Sequence, residues 1–557
     1  SRGFQSAVEP RITFGVGTSQ KIDSLVVIWP DLTWEWHTEI SADQVVTLRQ
    51  VDAGDRYKLP VTPSSQAFKE VTGIVLHGNY HHTENSYNDF DHERLLPHVV
   101  STEGPEIVTG DINGDGLEDF ILLGSRDDHD KFFIQQQQGD YREMLQPEVR
   151  VDSALESTAG LLFDADGDQD QDLLLGAGGN EYRWGAAGLK MRYYENDGTG
   201  IFVKSEANTP PASGDISTIK AADIDGDHDL DLFIGSRIVP GNYGLIPRSY
   251  LLRNDQGAWT DITPESLANI GMVTDAAWSN LEGDTLPDLV VVGEWIPVTI
   301  FVNSRGQLSS NFTIPFSSGW WNVIEPADLD DDGDTDFILG NWGLNSKFVA
   351  SPQKPLSMFV KDFDNNGKSE FIINWYPPLD SGSYPFASKM DITAQLPQLK
   401  KQAVKYSDYA GMTYEDLFND GQRQGALQYE VHTLASSILW NKGVQDFQLT
   451  ALPQEAQVSP AFGVLAQDLD QDGLRDLLLM GNFYGLKPEV GRQNSSRGVV
   501  LKGDGHGSFL PGKASSLGID ITGEVRDVKV LPGKDLRVLI SRNNAPAVLL
   551  QRQPAVP

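Results

Sequence analysis

The stretch Asp164-Ala165-Asp166-Gly167-Asp168-Gln169-Asp170-Gln171-Asp172, running straight into Leu173-Leu174-Leu175-Gly176, decides how this chain is read. Carboxylates alternate along a glycine-bearing loop, and the loop ends in an apolar run short enough to be a buried strand. A hard cation such as calcium takes about six to eight oxygen ligands. Side chains at loop positions 1, 3, 5 and 9 can supply four of them, here Asp164, Asp166, Asp168 and Asp172, with the main-chain carbonyl of Asp170 at position 7.

The arrangement recurs along the chain. It is full at Asp223 (with Asp225, Asp227, Asp229 and Asp231), at Asp328 (with Asp330, Asp332, Asp334 and Asp336) and at Asp468 (with Asp470, Asp472, Leu474 and Asp476). The copy at Asp111 uses Asn113 at position 3, followed by Asp115, Leu117 and Asp119, and is expected to bind through the neutral oxygen. The copy at Asp362, with Asp364, Asn366, Lys368 and Glu370, is expected to be weaker. Leu117, Asp229, Asp334, Lys368 and Leu474 stand at position 7, where only the carbonyl counts. Two worn copies remain: Asn280 with Glu282, Asp284 and Asp288, and Asp527, whose Lys529 and Leu531 at positions 3 and 5 leave it expected to be empty. An EF-hand is excluded, because position 12 is an apolar strand residue (Leu122 in the first copy) instead of a bidentate glutamate. The expectation is about five to six calcium ions, structural because their shells are saturated by protein. Calcium then turns carboxylate repulsion into folding free energy.

Loop starts at 111, 164, 223, 280, 328, 362, 468 and 527 give spacings of 53, 59, 57, 48, 34, 106 and 59 residues. A four-stranded propeller blade takes roughly 40–60 residues. The fold expected is all-β: a seven-bladed β-propeller with the Asp362 loop inside another blade, or eight blades with one truncated. The long spacing holds an insertion at about 376–435, helical near 385–420, where Leu396–Tyr414 has helical periodicity. Hairpins such as Arg192–Val203 turn at Asn-Asp-Gly, a tight-turn signal. The last unit shows three strands. Ala67-Phe68-Lys69-Glu70-Val71-Thr72 resembles the fourth strand of other units and is expected to complete it, removing exposed edges.

Residues 1–54 stand apart, with strand-like alternation at Arg11–Gly17, Asp23–Pro30, Thr33–His37 and Gln44–Arg49. So small an all-β piece is expected to lack strands or lean on a neighbour. Residues 55–66 read as a linker and 67–557 as the repeat array. With 43 basic and 79 acidic residues the net charge is −36, which argues against nucleic acid or an anionic membrane surface. Cysteine is absent, so disulfides and thiolate chemistry are excluded. No run approaches the ~20 apolar residues of a membrane-spanning helix. The opening at Ser1-Arg2-Gly3 is abrupt and is expected to be the start of a mature or cleaved fragment.

The loops, the strands after them and the Gly-Ala or Gly-Asn steps at 176–177, 340–341 and 481–482 resemble FG-GAP/VCBS repeats. That resemblance implies an integrin-α-like propeller with calcium in blade loops. Gly3-Phe4-Gln5-Ser6, Phe14-Gly15-Val16-Gly17 and Asp23–Pro30 resemble the ASPIC/UnbV domain, here without its opening strands. Ser101–Pro105, Trp342–Ser346 and Gly481–Gly485 are most similar to Bacteroidetes surface relatives of cartilage acidic protein. The resemblance implies an extracytoplasmic, non-catalytic binding or scaffold role, at the bacterial surface or secreted, with a protein partner in an outer-membrane complex. It also implies a longer precursor with room for another propeller and a lipid anchor, and the missing upstream part is itself a candidate partner.

Three other features carry expectations. His81, His82, Glu84, Asn85, Asp89, Asp91 and His92 form the chain's one histidine cluster, a transition-metal candidate whose irregular spacing favours an ordered loop. The aromatics Trp295, Trp320, Trp321, Trp342, Trp375, Tyr376, Phe483 and Tyr484 could form a sugar or peptide platform, though packing between blades is the simpler expectation. Nucleophile elbows, phosphate loops, dinucleotide fingerprints and metalloprotease helices are absent. The competing function is a carbohydrate-binding or carbohydrate-active propeller.

Overall fold

The computed structural model describes residues 11–57, 66–183, 185–443, 445–533 and 535–554. The chain divides into two units, 1–64 and 65–557.

In the first unit, Lys21–Ile28 and Trp34–Ser41 form an antiparallel hairpin in register from Lys21 opposite Ser41 to Ile28 opposite Trp34. Leu32 sits at φ 69° in the connecting turn, and Asp31 accepts the Thr33 N–H. The other two expected strands, Arg11–Gly17 and Gln44–Arg49, are not strands. Alternation alone does not make a strand; the backbone must also pair with another edge. Ile12, Phe14 and Val45 accordingly stand exposed. The expected linker falls mostly outside the described residues.

The second unit is built from four-stranded antiparallel sheets that recur along the chain. The first combines Ile107–Gly110, Asp119–Leu122, Lys131–Gln135 and Tyr141–Met144, with Leu76–His77 added in parallel at its outer edge. The next three run Ser157–Phe163 to Phe202–Lys204, Ile216–Ala222 to Ala258–Asp261, and Met272–Ser279 to Leu308–Thr313, each in simple up-and-down order. A fifth sheet joins Val323–Ala327 and Asp336–Gly340 to Ser437–Asn441 and Phe447–Ala451. Between its second and third strands the chain makes a separate sheet of Leu356–Lys361, Glu370–Trp375, Tyr384–Pro385 and Leu427–Val431. Ala461–Gln467 to Phe509–Gly512 forms a further sheet. The last contains Glu524–Leu531, Arg537–Asn543 and Val548–Arg552, and its outer strand is Phe68–Glu70, paired Phe68 to Arg552 and Glu70 to Leu550.

Burial follows from this layering. Second strands such as Asp172–Ala177 and Asp231–Ser236 are buried along their whole length, as expected of strands covered on both faces. The cores lie between neighbouring sheets: Leu174 and Tyr193 of one pack with Ile219, Leu232 and Leu252 of the next. First strands approach closely. A Cβ on Gly463 would lie 2.4 Å from Val528 Cγ2, so this position admits no larger residue without a shift.

The insertion departs from its expected form. Leu396–Tyr414 is not one helix. Helical residues are Lys389–Gln395, a 3-10 turn at Pro397–Lys401, and the single turns Tyr406–Tyr409, Tyr414–Leu417 and Asp420–Arg423. Pro397 lacks the N–H an α-helix would need there, and it starts the 3-10 turn instead. These turns pack Tyr414 on Phe359 at 4.0 Å and Phe418 on Phe363 at 4.3 Å, covering the inserted sheet.

Candidate metal centres

Each acidic loop is a wrapped turn joining the first strand of a sheet to the second. Positions 4 and 6 are left-handed in all seven loops that keep the register. In the Asp164 loop these are Gly167 (φ 85°) and Gln169 (77°), and in the Asp468 loop Gln471 (68°) and Gly473 (88°). At least one of the two is glycine in each loop, and both are in the Asp111 loop, which lowers the cost of the wrap. The side chain at position 1 accepts N–H groups from the loop interior: Asp164 from Gly167 and Gln169, Asp223 from Gly226 and His228, Asp468 from Gln471 and Gly473. The side chain at position 5 accepts the N–H of position 7, as Asp168 does from Asp170 and Asp332 from Asp334. The oxygens at positions 1, 3 and 5 are thereby turned toward one another.

Position 9 has a second duty that the spacing does not disclose. Asp231 accepts the N–H of Ile224, at loop position 2, at 3.1 Å, and that of Asn254, on the third strand, at 2.8 Å. Asp119, Asp172, Asp288, Asp336 and Asp476 each make the same pair of bonds. The carboxylate staples the loop to the sheet. A third-strand asparagine then carries the link to the preceding unit: Asn196 donates to Ile112 O, Asn254 to Ala165 O and Asn303 to Ile224 O. Each of these carbonyls is position 2 of the previous loop.

Five loops bring three acidic groups together with one oxygen of each within 4.8 Å of the others. They are Asp164, Asp166 and Asp168; Asp223, Asp225 and Asp231; Asp328, Asp330 and Asp332; Asp362, Asp364 and Glu370; and Asp468, Asp470 and Asp476. Asp170 Oδ1, Asp328 Oδ1, Asp330 Oδ1, Asp364 Oδ1 and Glu370 Oε1 are buried with no hydrogen-bond partner. A buried carboxylate oxygen without a donor is costly, and the all-oxygen donor set suits calcium. The residues present therefore fit the ion. Burial, reinforced by the other loop carboxylates, pushes Asp119 and Glu370 up to about 7 and Asp231, Asp336 and Asp476 up to about 6. Lys442 reaches Asp330 at 2.9 Å, and Lys502 reaches Asp470, offsetting some of the repulsion from outside.

The remaining loops differ. In the Asp111 loop, Asp111 accepts from Asp115 and Gly116, and the Asn113 oxygen accepts from Asp115. The Asn280 loop keeps the backbone wrap (Gly283 at 72°, Thr285 at 87°) and the Asp288 staple. The expected copy at Asp527 is not a loop. Asp527 lies within the strand Glu524–Leu531, where it accepts the Ile107 N–H at 3.0 Å. Asp275 occupies the equivalent place in Met272–Ser279 and accepts from Ile324. These are first-strand carboxylates holding the neighbouring first strand, so a match counted from aspartates alone shifts the register.

The histidines do not converge on a metal. His82 is buried and pushed down to about 3, His81 contacts Thr83, and His92 stacks on Tyr87 at 5.2 Å. The aromatics do converge, around buried His98, but as core. Trp295, Trp320 and Trp342 are 1–3% exposed, with the rings of Trp320, Trp342 and Phe483 within 6 Å of the His98 ring. Beneath them Glu294 holds Arg237 at 2.6 Å and the Tyr243 hydroxyl at 2.7 Å. Arg237, with His98 and these donors, keeps the Glu294 carboxyl down at about 2 despite its burial.

Comparison with known families agrees with this construction. The ASPIC and UnbV family matches residues 1–55, and an FG-GAP-like repeat matches residues 164–234, the Asp164 and Asp223 loops with the hairpin between them. The chain carries an FG-GAP-like repeat and an ASPIC and UnbV segment. The FG-GAP match thus covers two of the five triads. No curated protein matches the chain. Among solved structures, an Agrocybe aegerita lectin specific for non-reducing terminal N-acetylglucosamine is 13% identical, with a TM-score of 0.39 over 74% of this chain and 80% of that one. A V. cholerae biofilm matrix protein is 13% identical, with a TM-score of 0.35 over 88% and 92%.

Proposed function

We propose that the protein is a calcium-stabilised, non-catalytic β-propeller scaffold that binds a protein partner outside the cytoplasm, in a bacterial surface complex. The observation that carries the calcium reading is the five acidic triads at one register of the repeat, several with buried oxygens lacking a donor. Seven blades fit the topology best, with the Asp362 sheet as an insertion within the fifth. First strands neighbour one another in chain order, and Glu524–Leu531 lies beside Ile107–Gly110. Phe68–Glu70 then closes the ring by completing the last blade. A closed ring has no free inner edge, and calcium in the loops stiffens the face on which they lie.

A protein partner is favoured over a glycan because most of the aromatics that could have made a sugar platform, Trp295, Trp320, Trp321, Trp342 and Phe483, are core, with Trp375, Tyr376 and Tyr484 half-buried. The insertion meanwhile leaves Leu379, Met390, Val404 and Tyr406 exposed. Calcium outside the cytoplasm is millimolar, which suits open acidic loops of modest affinity. Among the described residues no helix is long and apolar enough to cross a membrane.

The test is affinity isolation with calcium-loaded and chelated protein as bait, from detergent-solubilised envelope of the producing cells, read by mass spectrometry beside a glycan array. A stoichiometric protein retained by the calcium-loaded bait supports the scaffold reading. A glycan hit with no retained protein replaces it with the carbohydrate-binding one.

A further inference from the structure

Away from the repeat loops, the chain buries a second group of carboxylates that no hydrogen bond satisfies. Glu156 and Asp215 immediately precede the first strands Ser157–Phe163 and Ile216–Ala222, and are 2% and 0% exposed. Glu84 and Glu103 come from the segment before the first sheet, and Glu181 from the turn after Asp172–Ala177. Both oxygens of Glu84, and Glu103 Oε1, Glu156 Oε2, Glu181 Oε2 and Asp215 Oδ2, are buried without a hydrogen-bond partner. The other oxygens that have partners hold the group in place: Glu181 Oε1 accepts from Asn85 at 2.7 Å, and Asp215 Oδ1 accepts the Gly179 N–H at 2.8 Å.

Glu156, Glu181 and Asp215 reach the Gly178–Gly179 step. A Cβ on Gly179 would lie 2.6 Å from Glu181 Oε2 and 2.9 Å from Glu156 Oε2, and one on Gly178 would lie 2.7 Å from Asp215 Oδ1. The two unpartnered glutamate oxygens therefore flank one point, kept open by the absent side chain. The positive charge nearby is already engaged. Arg237 pairs with Glu294 at 2.6 Å and reaches Glu103 Oε1 at 3.4 Å, Arg526 pairs with Glu524 at 3.2 Å, and Arg126 lies 3.9 Å from Glu181. Arg237 and Arg126 thus meet Glu103 and Glu181, and among the described residues Glu156 and Asp215 are left as buried like charges with no ion pair of their own, a costly arrangement. The cost is visible in the carboxyls, since burial raises Glu84, Glu103, Glu156 and Asp215 alike.

We infer that Glu156 and Glu181, with Asp215 beside them, hold a hard divalent cation of the calcium class at the Gly178–Gly179 step, separate from the ions of the repeat loops. Their unpartnered oxygens, Glu156 Oε2, Glu181 Oε2 and Asp215 Oδ2, supply three of the about six to eight that calcium takes. No three of these carboxylates come as close as the repeat triads, whose oxygens lie within 4.8 Å of one another, so water would fill the remaining positions. Glu156 and the Asp164 loop lie at opposite ends of one strand, about 20 Å apart at ~3.3 Å per residue. The two kinds of site can therefore be emptied independently.

The test uses the full chain, stripped with chelator, re-equilibrated with calcium and assayed for bound calcium per chain. The double variant Glu156→Gln with Asp215→Asn is compared with Asp164→Asn with Asp166→Asn. The expected result is one ion lost in each. In chelator the Glu156/Asp215 variant also melts above the parent, because repulsion is relieved, and calcium then raises its midpoint less. An unchanged ion count and an unchanged calcium shift in that variant would overturn the site and leave protons or water as what fills it. Failure of the loop reading shows separately, as an unchanged count in the Asp164/Asp166 variant. Should the Glu156/Asp215 variant not fold, parent crystals soaked in terbium decide by anomalous scattering. A peak at Gly178–Gly179 supports the site, and peaks confined to the repeat loops refute it.

Discussion

The sign of the protein's pH dependence should reverse with calcium. Asp231 is pushed from 3.8 to about 6 by burial in the ion-free loop, Asp336 and Asp476 likewise, and Asp119 and Glu370 reach about 7. A carboxyl that binds its proton more tightly when folded makes folding take up protons. Its stabilisation is complete below pH ~4 and is lost as pH rises through about 6–7. For Asp231 the shift of about 2 units corresponds to ~3 kcal/mol, and halving it for screening on the open side of the loop leaves about 1.5 kcal/mol. At roughly 2 °C per kcal/mol, several loops together should place the chelated protein's midpoint about 5–10 °C lower at pH 7.5 than at pH 5. Calcium competes with those protons, so its affinity rises with pH. At about 100-fold excess over Kd each site returns ~2.7 kcal/mol. Scanning calorimetry at pH 5 and 7.5, each with chelator and with millimolar calcium, reads all four conditions. The calcium-loaded protein should be the more stable at pH 7.5. A chelated protein that is more stable at pH 7.5 than at pH 5, or a pH 7.5 midpoint that calcium does not move, would refute the reasoning.

Other outcomes follow from particular bonds. Asp231→Ala leaves the Ile224 and Asn254 N–H groups buried without acceptors, at about 1–3 kcal/mol each; urea unfolding should show this loss even in chelator, whereas Asp227→Ala in chelator should cost under about 1 kcal/mol. Asn254→Ala removes the bond to Ala165 O and the acceptor of the Gly257 N–H. It should destabilise by about 1–3 kcal/mol and weaken calcium binding at the Asp164 loop, read by calorimetric titration. Glu294→Ala strands Arg237 beneath the aromatic core and should cost about 3–5 kcal/mol, with less lost in a Glu294→Ala/Arg237→Met double variant. Replacing Phe68, fully buried in the last sheet, with Asp should release the strand Phe68–Glu70 and expose an edge, seen as faster proteolysis near residue 70 and dimers in light scattering.

The loops were legible because their chemistry is local. Alternating carboxylates, glycine at position 4 or 6 and the apolar strand all fall within about a dozen residues. The pairing of Phe68–Glu70 with Val548–Arg552 was legible for a different reason, the likeness of 67–72 to fourth strands elsewhere. What failed depended on partners. Arg11–Gly17 alternates like a strand but is not one, while Asp527 resembles a loop start and sits inside a strand. The carboxylates around the Gly178–Gly179 step come from positions 156, 181 and 215, and no spacing rule connects them before the sheets bring their first strands side by side. The aromatics could be read for convergence but not for burial, since a packed tryptophan and a sugar platform have the same sequence.

The position-9 staple bears on what a cation in the loops would do. Paired acceptance from loop and third strand occurs at six aspartates, including Asp288 of the loop that begins with Asn280. Acidic triads occur in only some of the loops that have the staple. The left-handed pair at positions 4 and 6 is likewise present whether or not a triad is. Backbone wrap and staple therefore form one device, and the cation site is a second built on top of it. The loop can take its shape from N–H groups alone, and the ion then removes the repulsion that the shape creates. It follows that chelation should lower stability without dismantling the sheets. The asparagine links from Asn196, Asn254 and Asn303 to the preceding loops, which need no ion, should hold successive units in register while the metal is away.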